Sequence, residues 1–220
     1  EVAGMVEPGL GERVRSCLEK AILLILKSQA VAKGKDHAGG WRYQPNSPDS
    51  DLSVTGWQLL ALRAAKNIGC DVPSDAIEQA VAYVRNCASR GGGFGYQPRH
   101  GATATRAGTG ILCLEICGEH HAPETLAAAD FLRLHPMRYD DGFFFYGVYY
   151  GTVGMFQVGG AHWDTTRDRV TSLLLEKQNE DGSWWKERGG NESGYGPIYS
   201  TSMSVLALAV EYQYLPIYQR

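Results

Sequence analysis

The sequence has no long hydrophobic run and no concentrated block of charge. Its longest aliphatic run covers residues 21–26 and is too short to cross a membrane. The formal net charge is −3 and the pI is near 6.1, and the chain contains no Lys/Arg run and no basic amphipathic stretch. The composition therefore predicts neither a transmembrane segment nor a nucleic-acid-binding surface.

Common motifs for disulfides, nucleophiles and phosphates are also absent. The five cysteines are an odd number without CxxC spacing, which favours buried thiols in a reducing compartment such as the cytoplasm. Because the first residue is Glu1, a removed signal peptide is compatible with the chain as well. There is no G-x-S-x-G or P-loop, and the C-x3-C-x2-H-H cluster at 113–121 matches no common zinc spacing. We therefore predict no metal and no cofactor.

The chain does contain an internal repeat. The loop GGWRYQP at 39–45 recurs as GGFGYQP at 92–98, with five of seven residues identical. Two further glycine–aromatic loops, DGF at 141–143 and DGSW at 181–184, follow at similar intervals. A period of roughly fifty residues holds two helices of ordinary length plus their turns.

Helical periodicity lies on both sides of each loop. An amphipathic segment precedes each loop, and a more apolar segment follows it at 52–66, 104–117, 146–158 and 199–213. We predict an all-α fold of four hairpins, each with an outer amphipathic helix and an inner buried one. The predicted repeats are 12–66, 74–117, 123–158 and 164–213, within one domain of residues 1–220. Such hairpins stack into an α/α-toroid or an open arc.

Local signals refine these predictions. Residues 73–75 and Pro123 predict the starts of the second and third outer helices, and Asp164 is a candidate cap of the fourth. Residues 143–150 favour β-structure by composition, but their place in the repeat predicts a helix. Small residues expected to permit close contact between inner helices are Gly56, Gly108, Gly151, Gly154 and Ser202.

The loops carry a family resemblance. Residues 178–184 read Q-x3-G-x-W, and a looser form in the first repeat has Gln29 well before Gly40 and Trp41. At these loops the chain resembles the α/α-toroid repeats of squalene-hopene cyclases and protein prenyltransferases, over essentially its whole length. The resemblance implies concentric helices around a central cavity. Those domains usually close with more than four hairpins, so it also implies one or two hairpins upstream of Glu1, or an open ring.

The stretch PDSDLS at 48–53 resembles the acidic D-x-D-D motif of squalene-hopene cyclases. The resemblance implies that Asp49 or Asp51 is a catalytic acid, which requires a carboxyl group kept protonated in an apolar cavity. Neither alignment of the motif supplies all three carboxylates, because Leu52 or Ser53 takes one of the places. The alternative, which we favour, is that Asp51 or Ser53 caps the following helix. Trp41, Phe94 and Trp184 are interpreted as structural.

The aromatic stretch FFFYGVYY at 143–150 is the second candidate site. Its rings could line a cavity and stabilise a cation, grip a sugar, or form core. The predicted substrate-binding residues are Trp57, Tyr146, Tyr149, Tyr150 and Tyr199, and Tyr195 is expected to face the same space. A prenyltransferase is disfavoured, because YST at 199–201 stands where those enzymes have their zinc-binding His.

The predicted function is a terpene-cyclase-like repeat domain whose cavity takes a prenyl or other apolar ligand, with catalysis undecided. Two alternatives stay open. One is a non-catalytic module that binds a ligand or a protein partner on its inner face. The other is a polysaccharide-active enzyme, which rests on fold analogy alone.

Overall fold

The computed structural model of the protein describes residues 5–186, 190–214 and 216–218. Within these residues the secondary-structure elements are all helices, and there is no β-strand. Eight α-helices follow one another as α1 Pro8–Gln29, α2 Leu52–Asn67, α3 Ser74–Asn86, α4 Ala104–Ile116, α5 Pro123–Leu134, α6 Phe144–Val158, α7 Gly160–Glu176 and α8 Gly196–Leu208. Short 3-10 turns cover Lys35–His37, Ser193–Tyr195, Val210–Tyr212 and Pro216–Tyr218. The predicted all-α class is confirmed, and residues 143–150 enter a helix rather than a strand.

The helices pair as four consecutive hairpins, α1–α2, α3–α4, α5–α6 and α7–α8. The second helices of the hairpins lie side by side in the order α2, α4, α6, α8, and the closest of these contacts is between α4 and α6. α6 is buried around nearly its whole circumference, whereas α1 and α7 bury only a few residues. This division into an inner and an outer layer is consistent with a helical toroid or arc.

Two helix starts correct the sequence interpretation. α7 begins at Gly160, so Asp164 lies inside the helix and does not cap it. The chain passes from α6 to α7 through Gly159 and Gly160, whose φ angles are 76° and 55°. These left-handed glycines turn the backbone without a polar linker, so no separate cap residue is needed. α8 likewise begins earlier than predicted, at Gly196, and ends at Leu208.

Glycines set the spacing of the inner helices. A Cβ added to Gly108 would lie 2.4 Å from the backbone nitrogen of Gly151, and one added to Gly154 would lie 2.9 Å from the Gly108 carbonyl oxygen. α4 and α6 therefore touch backbone to backbone, as their small residues predicted. Ser202 behaves differently, since it faces solvent on α8.

Three aromatic residues of the glycine–aromatic loops, Trp41, Phe94 and Trp184, are part of the scaffold. The Trp41 indole donates to the carbonyl of Ile25 at 2.8 Å, and the Trp184 indole donates to that of Leu174 at 2.7 Å. Both indoles therefore tie a loop to the outer helix that precedes it, and both are almost fully buried. Phe94, which is fully buried, takes the corresponding place in the second repeat. The structural interpretation of these three aromatics is confirmed.

Gln29 joins neighbouring repeats. Its side-chain amide donates to the carbonyls of Gly39 and Ala76, each at 2.8 Å, and so connects α1 to its own loop and to the start of α3. Gln178 instead donates to Gly182 within its own loop.

Candidate functional site

A cavity of about 590 Å³ lies at the N-terminal ends of the four inner helices. Residues of α2, α4, α6 and α8 and of the loops that precede them all contribute to its lining. The described residues that line it are Tyr43, Ser53, Trp57, Tyr96, Thr105, Arg106, Phe143, Tyr146, Tyr195, Tyr199 and Met203. Its volume is in the range of sites for drug-sized ligands, and most of its lining is aromatic.

The two repeated loops contribute equivalent tyrosines. Tyr43 and Tyr96 occupy the same place in GGWRYQP and GGFGYQP, and both reach the cavity. The sequence analysis missed them as site residues because it considered only the aromatic residues next to the glycines and interpreted those as structural. The shared register was the available signal, since equivalent loops of stacked repeats lie on one face.

Asp51 is a buried helix cap. Its Oδ1 accepts from the backbone N–H of Val54 at 2.9 Å, and its Oδ2 accepts from Nη1 of Arg42 at 3.0 Å. The side chain is 0% exposed. Burial raises the pKa of the Asp51 carboxyl, although the cap bond and Arg42 act in the opposite direction. The favoured interpretation of Asp51 as a cap is confirmed.

Neither predicted acid is among the cavity-lining residues in the described part of the chain. The Asp49 side chain is 38% exposed, lies 3.5 Å from Nε of Arg42, and accepts from the Gln97 amide at 3.3 Å. Ser53, two residues after Asp51, lines the cavity in their place.

Arg42 and Arg106 hold Tyr96 in the cavity lining. Nη1 of Arg42 donates to the Tyr96 hydroxyl at 2.8 Å. The guanidinium carbons of Arg42 and Arg106 lie 5.3 and 5.1 Å from the centroid of the Tyr96 ring, within the range of cation–π attraction. Arg42 also pairs with Asp51, so the cap of α2 and the cavity lining belong to one network.

Glu192 is a second buried carboxylate near the cavity. Its oxygens accept from the backbone N–H groups of Phe145 and Tyr146 at 2.8 and 2.9 Å, and from the hydroxyl of Tyr199 at 2.9 Å. It therefore caps α6 from a distant part of the chain. Burial is the main cause that raises the pKa of Tyr199, and the Glu192 charge acts in the same direction. Sequence reasoning missed Glu192 because no local spacing connects it to α6.

The predicted aromatic residues separate into two groups. Trp57, Tyr146 and Tyr199 line the cavity. Tyr150 packs on Tyr146 with ring centroids 4.4 Å apart, and burial raises the pKa of its hydroxyl. Tyr149 lines a separate cavity of about 30 Å³, and its hydroxyl is 2.9 Å from that of Tyr218. Tyr149 and Tyr150 therefore lie behind the lining.

The described residues offer no metal site. They contain no group of three His, Cys, Asp or Glu side chains that could hold an ion. In the cluster at 113–121, Nδ1 of His120 contacts Oε2 of Glu115 at 2.8 Å. Burial raises the pKa of Cys117 to about 12, so its thiol stays protonated at neutral pH.

In the described part of the chain, none of the helices has both the length and the apolar character needed to span a membrane.

Comparison with known proteins assigns no family. No protein-family model matches the chain, and no curated protein is significantly similar to it. The likeness of the loops to α/α-toroid repeats therefore rests on the motif residues alone, and the function has to be argued from the cavity.

Proposed function

We propose that the chain is a terpenoid-cyclase-like repeat domain that binds a small, largely apolar molecule, such as a prenyl compound, in its central cavity. The observation that carries the proposal is the cavity of about 590 Å³ with its aromatic lining at the ends of the inner helices. Aromatic rings provide a large apolar contact area, and cavities of this size are typical of small-molecule sites.

The lining is held in place before any ligand arrives. The hydroxyl of Tyr96 is bonded to Arg42, that of Tyr146 lies 3.1 Å from Oγ1 of Thr109, and that of Tyr199 is bonded to Glu192. These partners fix the rings and engage their hydroxyls within the protein, so that ring faces and edges are presented to a ligand. A preformed site avoids part of the entropy cost of binding.

The contacts favour binding over acid catalysis by Asp49 or Asp51. A cyclase-type acid has to present a protonated carboxyl to the cavity. Both oxygens of Asp51 are occupied by protein donors, and Asp49 pairs with Arg42 near solvent. Catalysis by either residue stays a prediction. Product analysis after incubation of the wild-type protein and of Asp51→Asn with squalene tests it.

An oligosaccharide is a second candidate ligand. Ser53, Thr105 and Arg106 supply polar groups beside the aromatic rings, and sugar rings bind to such combinations of stacking faces and hydrogen-bond donors. Most of the lining is apolar or aromatic, so the apolar ligand comes first.

Titration calorimetry with farnesol tests the proposal. Trp57 is 41% exposed in the cavity lining, so Trp57→Ala should weaken farnesol binding about tenfold or more, as truncation of a central aromatic contact does. Tyr212→Ala is the matched control, because Tyr212 is exposed and outside the lining, and it should bind like wild type. Absence of farnesol binding would refute the proposal, and binding of an oligosaccharide in its place would support the second candidate.

A further inference from the structure

One charged side chain in the cavity lining has no ion-pair partner. Arg106 is the only charged side chain among its described lining residues. No carboxylate of the described chain forms an ion pair with Arg106. The cavity therefore contains one uncompensated positive charge in an aromatic surround, where a charge interacts more strongly than in water.

Arg106 also has unused donor capacity. Its Nη1 donates to Oγ1 of Thr103 at 3.1 Å, whereas its Nε is buried and has no partner in the described residues. Its guanidinium is positioned against the Tyr96 ring, 5.1 Å from the centroid. The buried Nε has no accessible surface for a ligand, so the terminal amino groups of this fixed guanidinium are the donors available to an acceptor in the cavity.

The other charged groups near the cavity already have partners within the protein. Arg42 is paired with Asp51 and Asp49. Glu192 is held by two N–H groups at the start of α6 and by Tyr199, and Lys186 attracts it electrostatically. Arg106 is thus the charged group of the described lining that a ligand can contact directly.

The first turn of α4 reinforces this charge. The first turns of α2 and α6 are capped by the carboxylates of Asp51 and Glu192. The first turn of α4, which contains Arg106, is capped by the neutral hydroxyl of Thr103. The partial positive charge at that helix end is therefore not offset.

We propose that the natural ligand is a carboxylic acid with an apolar body, whose carboxylate pairs with Arg106 while the body lies against Trp57 and the tyrosines. One guanidinium matches one carboxylate in charge and hydrogen-bonding geometry. A diphosphate carries more negative charge than one Arg compensates, and a cationic ligand would be repelled. This inference rests on the proposed function and specifies the chemistry of its ligand.

The test compares three ligands with the same C15 chain. Farnesoic acid, farnesol and farnesylamine are titrated into the wild-type protein at pH 7. Farnesoic acid should bind at least about tenfold more tightly than farnesol, because a charge-assisted hydrogen bond contributes that much binding free energy. Farnesylamine should bind more weakly than farnesol. Higher salt should weaken binding of the acid and leave the alcohol unchanged.

Substitutions at Arg106 test whether this residue causes the preference for the acid. Arg106→Gln should lose the preference for the acid over farnesol, and Arg106→Lys should keep part of that preference. Arg138→Gln is the matched control, because Arg138 is an exposed arginine outside the lining. If Arg106→Gln does not fold, as judged by circular dichroism, the order of ligand affinities for the wild-type protein and its salt dependence still test the carboxylate inference.

The outcomes separate the two proposals. Equal binding of farnesoic acid and farnesol to the wild-type protein would overturn the carboxylate inference and leave the proposed function standing. Much tighter binding of farnesyl diphosphate than of the acid would also overturn it, since the anion would then be a phosphate. Failure of all these ligands to bind would remove both proposals.

Discussion

At the scale of single residues, two buried carboxylates both cap the start of an inner helix, one from a neighbouring position and one from a distant part of the chain. Asp51 caps the helix that it directly precedes, whereas Glu192 caps α6 from 47 residues further along the chain. The first role could be predicted, because a cap three residues before its N–H donor is a local sequence pattern. The second could not, because it depends on the tertiary path of the chain between the last loop and α8.

The raised pKa of Asp51 gives a pH-dependent stability. A carboxyl with a higher pKa in the folded than in the unfolded state binds its proton more tightly when folded. The folded protein should therefore lose stability, relative to an Asp51→Asn variant, as pH rises from the unfolded value of about 4 through the folded pKa. Urea unfolding of both proteins between pH 4 and pH 7 measures this difference.

Asp130 provides the control of opposite sign. Its pKa is lowered, chiefly by the hydrogen bond with His162, so it stabilises the fold above its unfolded pKa and loses that contribution as pH falls. Wild type should accordingly gain stability over Asp130→Asn as pH rises. If the Asp51 pair shows the same sign as the Asp130 pair, the cap bond and Arg42 outweigh burial, and the proposed balance at Asp51 is wrong.

At the scale of helices, apolar periodicity and the place of each segment in the repeat predicted the eight described helices. α8 differs from the prediction of a buried inner helix, because it buries only Ser200, Ser204 and Ala207. Helix starts were predicted well where a local signal exists, as at Ser74 and Pro123. The start of α7 was missed because two glycines replace the usual capped linker. A glycine pair carries no hydrophobic pattern, and only its backbone angles show the abrupt turn.

The close contact of α4 and α6 predicts a strong effect of a single methyl group. Gly108→Ala would place a Cβ 2.4 Å from the backbone of Gly151, and a helix backbone cannot move away as a flexible side chain can. The two helices have to separate, which should lower the free energy of unfolding by about 1–3 kcal/mol or more. Chemical denaturation of the variant measures this loss.

Gly9→Ala is the matched control for Gly108→Ala. Gly9 also lies within a helix, α1, but a Cβ added there meets nothing within 4 Å. Its substitution should stabilise the protein by up to about 1 kcal/mol, because alanine is the better helix former. Equal and small effects of both substitutions would show that α4 and α6 are further apart than described.

At the scale of the whole molecule, repetition explains why the cavity lies where it does. Stacked hairpins bring the loops and first turns of all inner helices to one end, so Tyr43, Tyr96 and Tyr199 come together from three repeats. The aromatic stretch at 143–150 indicated only part of this lining. Trp57, Tyr195 and Tyr199 of the lining were also predicted. The full set of lining residues could not be predicted, because which face of each inner helix meets the centre depends on how far the helices rotate as they pack.

The layered arrangement also predicts the order in which the molecule opens. α4 and α6 are buried on nearly all sides, whereas α1 buries only Ile22, Ser28 and Gln29 along its 22 residues. Local opening is easiest where few apolar contacts are lost. Amides of α4 and α6 should therefore exchange hydrogen only on global unfolding, while those in the first half of α1 exchange by local opening.

Hydrogen–deuterium exchange read by mass spectrometry at increasing denaturant tests this order. Exchange in α4 and α6 should follow the denaturant dependence of global unfolding, and exchange early in α1 should be nearly independent of denaturant. α8 offers a further comparison, because its buried residues are Ser200, Ser204 and Ala207 and its opposite face is exposed. The protection of α8 from exchange should lie between that of α1 and that of α6. Protection of α1 equal to that of α6 would mean that the outer helix is covered in solution, and that the two-layer description of the described chain is incomplete.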